Sequence, residues 1–211
     1  IVVGAGIVGL AHARAAALDG QRVLVLDKDG QARSASVRNF GMFWLVGQAR
    51  GPALDRAVRS RRVWLDIAQE TGLRIDECGS LHLAYHDVDL RVLREFIERE
   101  PDRDVTLVSP EEAAARSPGV RPEGLLGALW SPTELAMDPR EAIPAVTRWL
   151  RERHRVTFEF AAPVVRARPG HVETADGSRY DADQVILCNG ADLTLLCPDV
   201  FSDAPITRCK L

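Results

Sequence analysis

The chain has 211 residues, 46% of them hydrophobic and 27% charged, with a net charge of −3. That is enough for one large or two small globular domains, and it supplies no global basic field for nucleic acid or an anionic membrane. No apolar run approaches the roughly 20 residues of a transmembrane helix, and the scattered Cys78, Cys188, Cys197 and Cys209 contain no C-x-x-C pair, which disfavours zinc and a disulfide scaffold and suits free thiols in a reducing cytoplasm.

The first elements carry the strongest signal. Residues 1–27 read I-V-V-G-A-G-I-V-G-L-A-H-A-R-A-A-A-L-D-G-Q-R-V-L-V-L-D. A short apolar run leads into Gly4, Gly6 and Gly9, the G-x-G-x-x-G of a strand-to-helix turn, and a second apolar run ends in Asp27. Gly4 allows the tight turn, Gly6 lets a pyrophosphate approach the backbone, and Gly9 with Ala13 lets the helix sit close on the strands. The N–H groups at the helix start, at Ile7 and Val8, face the anion. Asp27 is placed to accept hydrogen bonds from ribose hydroxyls. A lone G-x-G-x-x-G is weak evidence, and a glycine-rich βα turn of some other α/β protein is the plain alternative. The agreement of two strands, three glycines, Ala13, Gly20 and the terminal acid favours dinucleotide binding.

After Asp27 and Lys28 the chain has no clear period up to residue 42. Ser34, Ser36, Arg38 and Asn39 lie there as candidates for phosphate and polar ring-edge contacts, and Gly41 allows close backbone approach. The spacing predicts a helix over 52–70, opened by Pro52 and capped by Gly72. Its Arg56, Arg59, Arg61 and Arg62 read as a solvated face. A half-buried strand follows at 79–85, with Leu81, Leu83 and Tyr85 inward and His82 outward. Asp87 is expected to cap a helix with Leu90, Leu93 and Ile97 on one face. Ser109-Pro110-Glu111-Glu112 is a capping box. A strand is expected at 125–130, then a helix capped by Asp138 and running to about Arg153, where Pro144 implies a kink or a later start. Strands follow at 156–160, 163–168, 171–174 and 179–180, and the apolar run 185–188 reads as a buried parallel strand. It ends in Asn189-Gly190-Ala191, at a carboxyl end where ligands of such sheets bind. Another strand is expected to begin at 205–211.

These motifs, in this order, resemble a family. The fingerprint at 4–27, A-R-S-A-S-V-R-N-F-G, G-S-L-H-L-A, M-D-P-R and Q-V-I-L-C-N-G-A are similar to the FAD-dependent oxidoreductases related to glycine oxidase and D-amino-acid oxidase. The strings S-V-R-N-F-G-M, G-Q-A-R-G-P and T-R-C-K-L resemble a subgroup associated with catabolism of 2-aminoethylphosphonate or its N-alkyl derivatives. The resemblance implies an α/β fold: an FAD-binding Rossmann-like βαβ domain with a three-stranded β-meander, interleaved with an α+β antiparallel-sheet substrate domain. Segments 1–77 and 154–204 would form the first domain. Segment 78–153 and a return strand at 205–211 would form the second.

The same resemblance implies FAD as cofactor. Gly4, Gly6, Ile7, Val8 and Gly9 would hold the pyrophosphate, and Asp27 and Lys28 the adenosine ribose end. Ser34, Ser36, Val37, Arg38, Asn39, Gly41 and Met42 would lie along the pyrophosphate and flavin ring. The Val164 backbone would read the adenine edge, and Asn189, Gly190 and Ala191 would make a second approach. Arg38 and Asn39 are the catalytic candidates, Arg38 by steadying charge on the ring or an anionic substrate group and Asn39 by bonding the ring. No metal is implied. The implied reaction is hydride transfer from an amine or amino-acid carbon to the flavin, hydrolysis of the imine, and passage of electrons to oxygen or another acceptor, with no nucleic-acid partner and oligomeric state left open. Family members are longer. The chain, with no Met before Ile1 and an apolar–basic run at Leu211, therefore reads as part of a longer protein whose C-terminal half, carrying most catalytic groups, is missing. Two rivals stay open: an NAD-dependent dehydrogenase, which would show a βαβ continuation after Asp27, and a noncatalytic nucleotide-binding module or fragment.

Overall fold

The computed structural model describes residues 1–201; the strand expected at 205–211 and Cys209 lie outside the described residues. In chain order the elements are β1 (Val2–Val3), α1 (Ile7–Leu18), β2 (Leu24–Leu26), a 3₁₀ turn (Ala35–Val37), β3 (Met42–Phe43), α2 (Pro52–Thr71), β4 (Ser80–Ala84), α3 (Asp87–Arg99), β5 (Thr106–Val108), α4 (Pro110–Arg116), β6 (Gly127–Ser131), β7 (Leu135–Ala136) and α5 (Pro139–Arg153). They continue with β8 (Thr157–Glu159), β9 (Val164–Arg168), β10 (His171–Thr174), β11 (Arg179–Asp181), β12 (Ile186–Leu187), a second 3₁₀ turn (Gly190–Asp192), α6 (Leu193–Leu196) and α7 (Pro198–Phe201). The chain forms two compact units.

The first unit takes residues 1–40, 70–73 and, among the described residues, 138–201. Its sheet has the order β12-β1-β2-β8, with every pairing parallel. Parallel strands need a crossover and cover on both faces, and the strands here are short apolar runs. Val2, Val3, Val25 and Leu26 are all buried. Alternation along β1 divides the layers: Val2 lies beneath α1, close to Gly9, while Val3 and Leu26 pack with Val172 of the meander β11-β10-β9. Gly20, at φ +78°, ends α1.

Helix α5 packs on α1 and buries Ala142, Ile143, Val146, Trp149 and Leu150. Residues 138–153 therefore belong to this unit, whereas the expected segmentation grouped them with 78–137. The apolar stripe of α5 is satisfied by α1. Asp138 caps α5, accepting from the Arg140 N–H at 2.8 Å. The later start expected at Pro144 is absent. The helix begins at Pro139 and runs on through it, because Pro144 lies on the exposed side, where water can take up the carbonyl that proline leaves unbonded. The Asp138 carboxyl is held below the usual carboxylate value, first by the Arg140 backbone N–H and then by its guanidinium. A lowered folded value stabilises the fold above the unfolded value, near 4, and loses that stabilisation as pH falls through the folded value. Acid titration of Asp138→Asn, followed by circular dichroism, is expected to show a shallower loss of helix below about pH 4 than the wild type.

The second unit takes residues 41–69 and 74–137. It holds an antiparallel sheet β4-β6-β5 and the small pair β3-β7. Val108, Ala113, Leu125 and Ala128 form its core, with Leu81, Tyr85, Val120 and Trp130 against them. The cap of α3 is His86, not the expected Asp87; Asp89 reaches back to accept from the His86 N–H at 3.1 Å. Leu83, expected inward, is 37% exposed while Ala84 is fully buried. β4 is an edge strand, so part of that face has no cover. Arg61 also departs from the solvated face assigned to it: it bonds Glu77 at 2.6 Å and the Thr133 carbonyl at 2.9 Å. Buried Glu134 accepts from the Val46 N–H at 2.9 Å and from the Ser80 and Thr133 hydroxyls at 3.1 Å each. His82, expected outward, is half-buried and bonds Ser80 Oγ at 3.1 Å. Among the described residues no helix is long and apolar enough to cross a membrane, and no cluster of side chains could hold a metal.

Candidate functional site

The first turn is fixed by contacts that leave no room for side chains. Gly4 stands at φ +107°, and its N–H donates to the Leu26 carbonyl at 2.7 Å. A Cβ on Gly4 would lie 2.4 Å from the Cys188 carbonyl oxygen at the end of β12. A Cβ on Gly9 would lie 1.8 Å from the Gly4 carbonyl oxygen. So Gly4 sets the spacing between turn and β12, and Gly9 sets the seat of α1 on the turn.

At Gly6 the neighbour is a side chain. Ser36 Oγ would be 2.9 Å from an added Cβ, and it accepts from the Ile7 N–H at 2.9 Å. The first-turn N–H groups of Val8 and Gly9 have no acceptor within the helix. Asp27 ties β2 to the turn: its carboxylate accepts from the Ala5 N–H at 2.6 Å and the Asp29 N–H at 2.9 Å. A carboxylate has about four acceptor positions, so these bonds leave capacity for hydroxyl donors. Lys28 pairs with Asp192 across the same edge of the sheet, and that hydrogen bond holds the ammonium above its usual value.

Beyond β12, the side-chain oxygen of Asn189 is buried and meets no donor among the described residues. A buried unpaired acceptor is costly and marks a place where a donor is missing. Gly190 follows at φ +58°, with open space where a Cβ would stand. Its glycine therefore serves the backbone conformation. FAD fits this edge. The glycine turn and helix start suit its diphosphate, Asp27 its ribose hydroxyls, and the Asn189 oxygen takes a donor.

Four of the other expected site residues lie along the 3₁₀ turn that Ser36 joins to Ile7. Ser34 precedes the 3₁₀ turn, and its carbonyl accepts from the Val37 N–H at 3.1 Å. Asn39 donates to the Ala35 and Ser36 carbonyls at 3.0 and 3.1 Å, bracing that turn. Val37 and Arg38 line a cleft with Arg33 and Arg140, separate from the glycine turn. Val164 opens β9 opposite Thr174. Gly41 and Met42 belong to the second unit, where Met42 pairs with Ala136 and the Gly41 carbonyl accepts from the Met137 N–H at 3.0 Å. Ala191 lies in the second 3₁₀ turn. Nothing in the sequence singles out Asp192, and Arg33 and Arg140 stand in the A-R-S-A-S-V-R-N-F-G and M-D-P-R strings with no sign that they meet. Asp192 carries no motif, and the arginines look like ordinary surface charges until the fold brings them to one cleft.

The family model described as DAO, FAD dependent oxidoreductase, matches residues 1–210. The chain belongs to this FAD-dependent oxidoreductase family. The chain is 29% identical over 221 residues to the tRNA 5-methylaminomethyl-2-thiouridine biosynthesis bifunctional protein of Ectopseudomonas mendocina, covering all of this chain and 32% of that protein. It is 20% identical to the L-2-hydroxyglutarate dehydrogenase of Escherichia coli K12, covering 90% of this chain and 47% of that protein. Among solved structures it resembles the glycine oxidase of Geobacillus kaustophilus with a TM-score of 0.82, at 21% identity over 94% of this chain and 57% of that one. The chain thus spans between a third and somewhat over half of the length of these family relatives.

Proposed function

We propose that this chain carries FAD on the Gly4–Gly9 turn, within a flavoprotein that oxidises the C–N bond of a small amine or amino acid. The observation that carries the reading is the carboxyl edge of the parallel sheet. There a helix start, Asp27 and the unpaired Asn189 oxygen meet, in a chain matched along nearly its whole length by a family of FAD-dependent enzymes. When bound, FAD would supply the acceptor for a hydride equivalent from the carbon bearing nitrogen.

The residues of this chain bind and orient. Gly6, Val8 and Gly9 present backbone N–H groups to the diphosphate, the Ile7 N–H being held by the Ser36 hydroxyl, and Asp27 holds ribose hydroxyls while bracing the turn through Ala5. Lys28 is fixed by Asp192. Ser36 steadies the helix start, and Asn39 steadies the turn that carries Ser36. The Val164 backbone would read the adenine edge. Asn189, with Gly190 and Ala191, would close the second side. Asn189→Ala is expected to weaken FAD binding about tenfold, the loss of one good hydrogen bond. Fluorescence titration of the apoprotein checks this, and unchanged affinity would remove Asn189 from the site.

Within amines, the strings S-V-R-N-F-G-M and G-Q-A-R-G-P support an N-alkyl aminophosphonate. The Ectopseudomonas relative's name includes a methylaminomethyl group, itself a secondary amine. The hydroxyglutarate relative supports a second reading, oxidation of a C–OH bond. Anaerobic flavin bleaching by a panel of amino acids, N-methyl amino acids, aminophosphonates and 2-hydroxy acids decides between them. Bleaching by an amine and not by hydroxy acids is expected. Bleaching by hydroxy acids alone would replace the first reading with the second, and no bleaching at all would leave a noncatalytic FAD carrier.

A further inference from the structure

The cleft beside the 3₁₀ turn has a volume of about 390 Å³. Arg33, Arg38 and Arg140 line it together with the Gln31 side, and Ala32, Val37 and Pro144 supply apolar wall. No carboxylate is among its lining residues. Asp138 bonds the Arg140 Nε at 3.1 Å, which offsets one of the three charges. Arg33 and Arg38 make no ion pair among the described residues. Like charges gathered in one concavity repel, and a bound anion reverses the sign of that interaction. Guanidinium forks match the oxygens of a phosphoryl group, and two uncompensated charges match its dianion. The volume and the apolar wall exceed what bare phosphate fills.

The cleft is separate from the cofactor turn. None of Gly4, Gly6, Gly9 or Asp27 lines it. The 3₁₀ turn parts the two places: the Ser36 hydroxyl goes to the Ile7 N–H, while the next two residues, Val37 and Arg38, line the cleft. We propose that Arg33, Arg38 and Arg140 form a second anion site, which takes the dianionic phosphoryl group of a small organic phosphate or phosphonate against an apolar wall. The site goes beyond the amine-oxidising reading and stands whether or not that reading holds.

The test uses FAD-loaded full-length protein and isothermal titration with phenyl phosphate, phenylphosphonate, inorganic phosphate and benzoate. Phenyl phosphate or phenylphosphonate is expected to bind once per chain, and the tighter of the two names the source. Inorganic phosphate and benzoate are each expected to bind about tenfold more weakly, the first lacking the apolar contact and the second one charge. The double variant Arg33→Gln with Arg140→Gln is expected to lose at least about tenfold in affinity while keeping its flavin absorbance. Equal affinity in the double variant, or phenyl phosphate binding only after FAD is removed, would overturn the site. Should the double variant fail to fold, hydrogen exchange on the wild type decides. Added phenyl phosphate is expected to protect segments 31–38 and 140–144, and unchanged exchange there would equally overturn it.

Discussion

Gly9→Ala is expected to lower the melting temperature and abolish FAD retention together. The added Cβ would stand 1.8 Å from the Gly4 carbonyl oxygen and 3.3 Å from Val2 Cγ1. Neither obstacle is the far end of a flexible side chain. Helix α1 must lift from the turn, and its N–H groups lift with it. Overpacking of this kind costs about 3 kcal/mol, or roughly 10 °C in a chain of this size. Gly20→Ala is the control. Gly20 has a positive φ but open space around its missing Cβ, so only backbone strain of about 1 kcal/mol is expected, with FAD retained. Differential scanning calorimetry with flavin absorbance measured on the same samples separates the two cases. Equal effects would show that close approach at Gly9 is not what matters.

Arg103→Ala is expected to destabilise the second unit by about 2–3 kcal/mol, the cost of leaving buried carbonyls without a donor. The Arg103 side chain is only 8% exposed. Its guanidinium donates to the carbonyls of Leu45, Val46 and Gln48 and to Glu100. From its other side the same loop is held by Glu134, which accepts from the Val46 N–H. Removing the fork takes the donor from the Val46 and Gln48 carbonyls, while the Leu45 carbonyl keeps the Gln48 N–H and Glu100 keeps Arg50. Arg103→Lys is expected to recover only part of the loss, since an ammonium cannot span the same set of acceptors. Urea unfolding midpoints measure both variants. A loss below about 1 kcal/mol for the alanine variant would mean that water replaces the guanidinium without penalty.

The sequence showed most plainly those parts of the fold that local rules govern. The glycine turn, the cap at Ser109, the cap at Asp138 and the hairpin about Gly170 each follow from residue types at fixed spacing, and the structure places each as an element end or turn. The parallel strand β12 was visible as a continuous apolar run. Strands β3 and β7 were not, because two residues carry no period, and their pairing depends on a return of the chain some ninety positions later. Grouping α5 with the wrong segment had the same origin: its apolar stripe was evident, but not which surface would cover it. Within the candidate site, the glycines and Asp27 announce themselves by spacing. The bond of Ser36 to Ile7, the pairing of Lys28 with Asp192 and the gathering of three arginines depend on tertiary placement. Asn39 illustrates the limit, for its residue type and place suggest a ring-edge contact but do not show that its amide N–H groups brace their own turn.

The central claim is that the turn at Gly4–Gly9, with Asp27, holds FAD. The most direct measurement is a titration of full-length apoprotein with FAD, alone and as Asp27→Ala, following the quenching of flavin fluorescence. The account predicts one FAD per chain for the wild type and affinity weaker by about a hundredfold for the variant, since Asp27 braces Ala5 and would also hold the ribose. A wild type that takes up no FAD, or a variant that binds it equally well, would contradict the account.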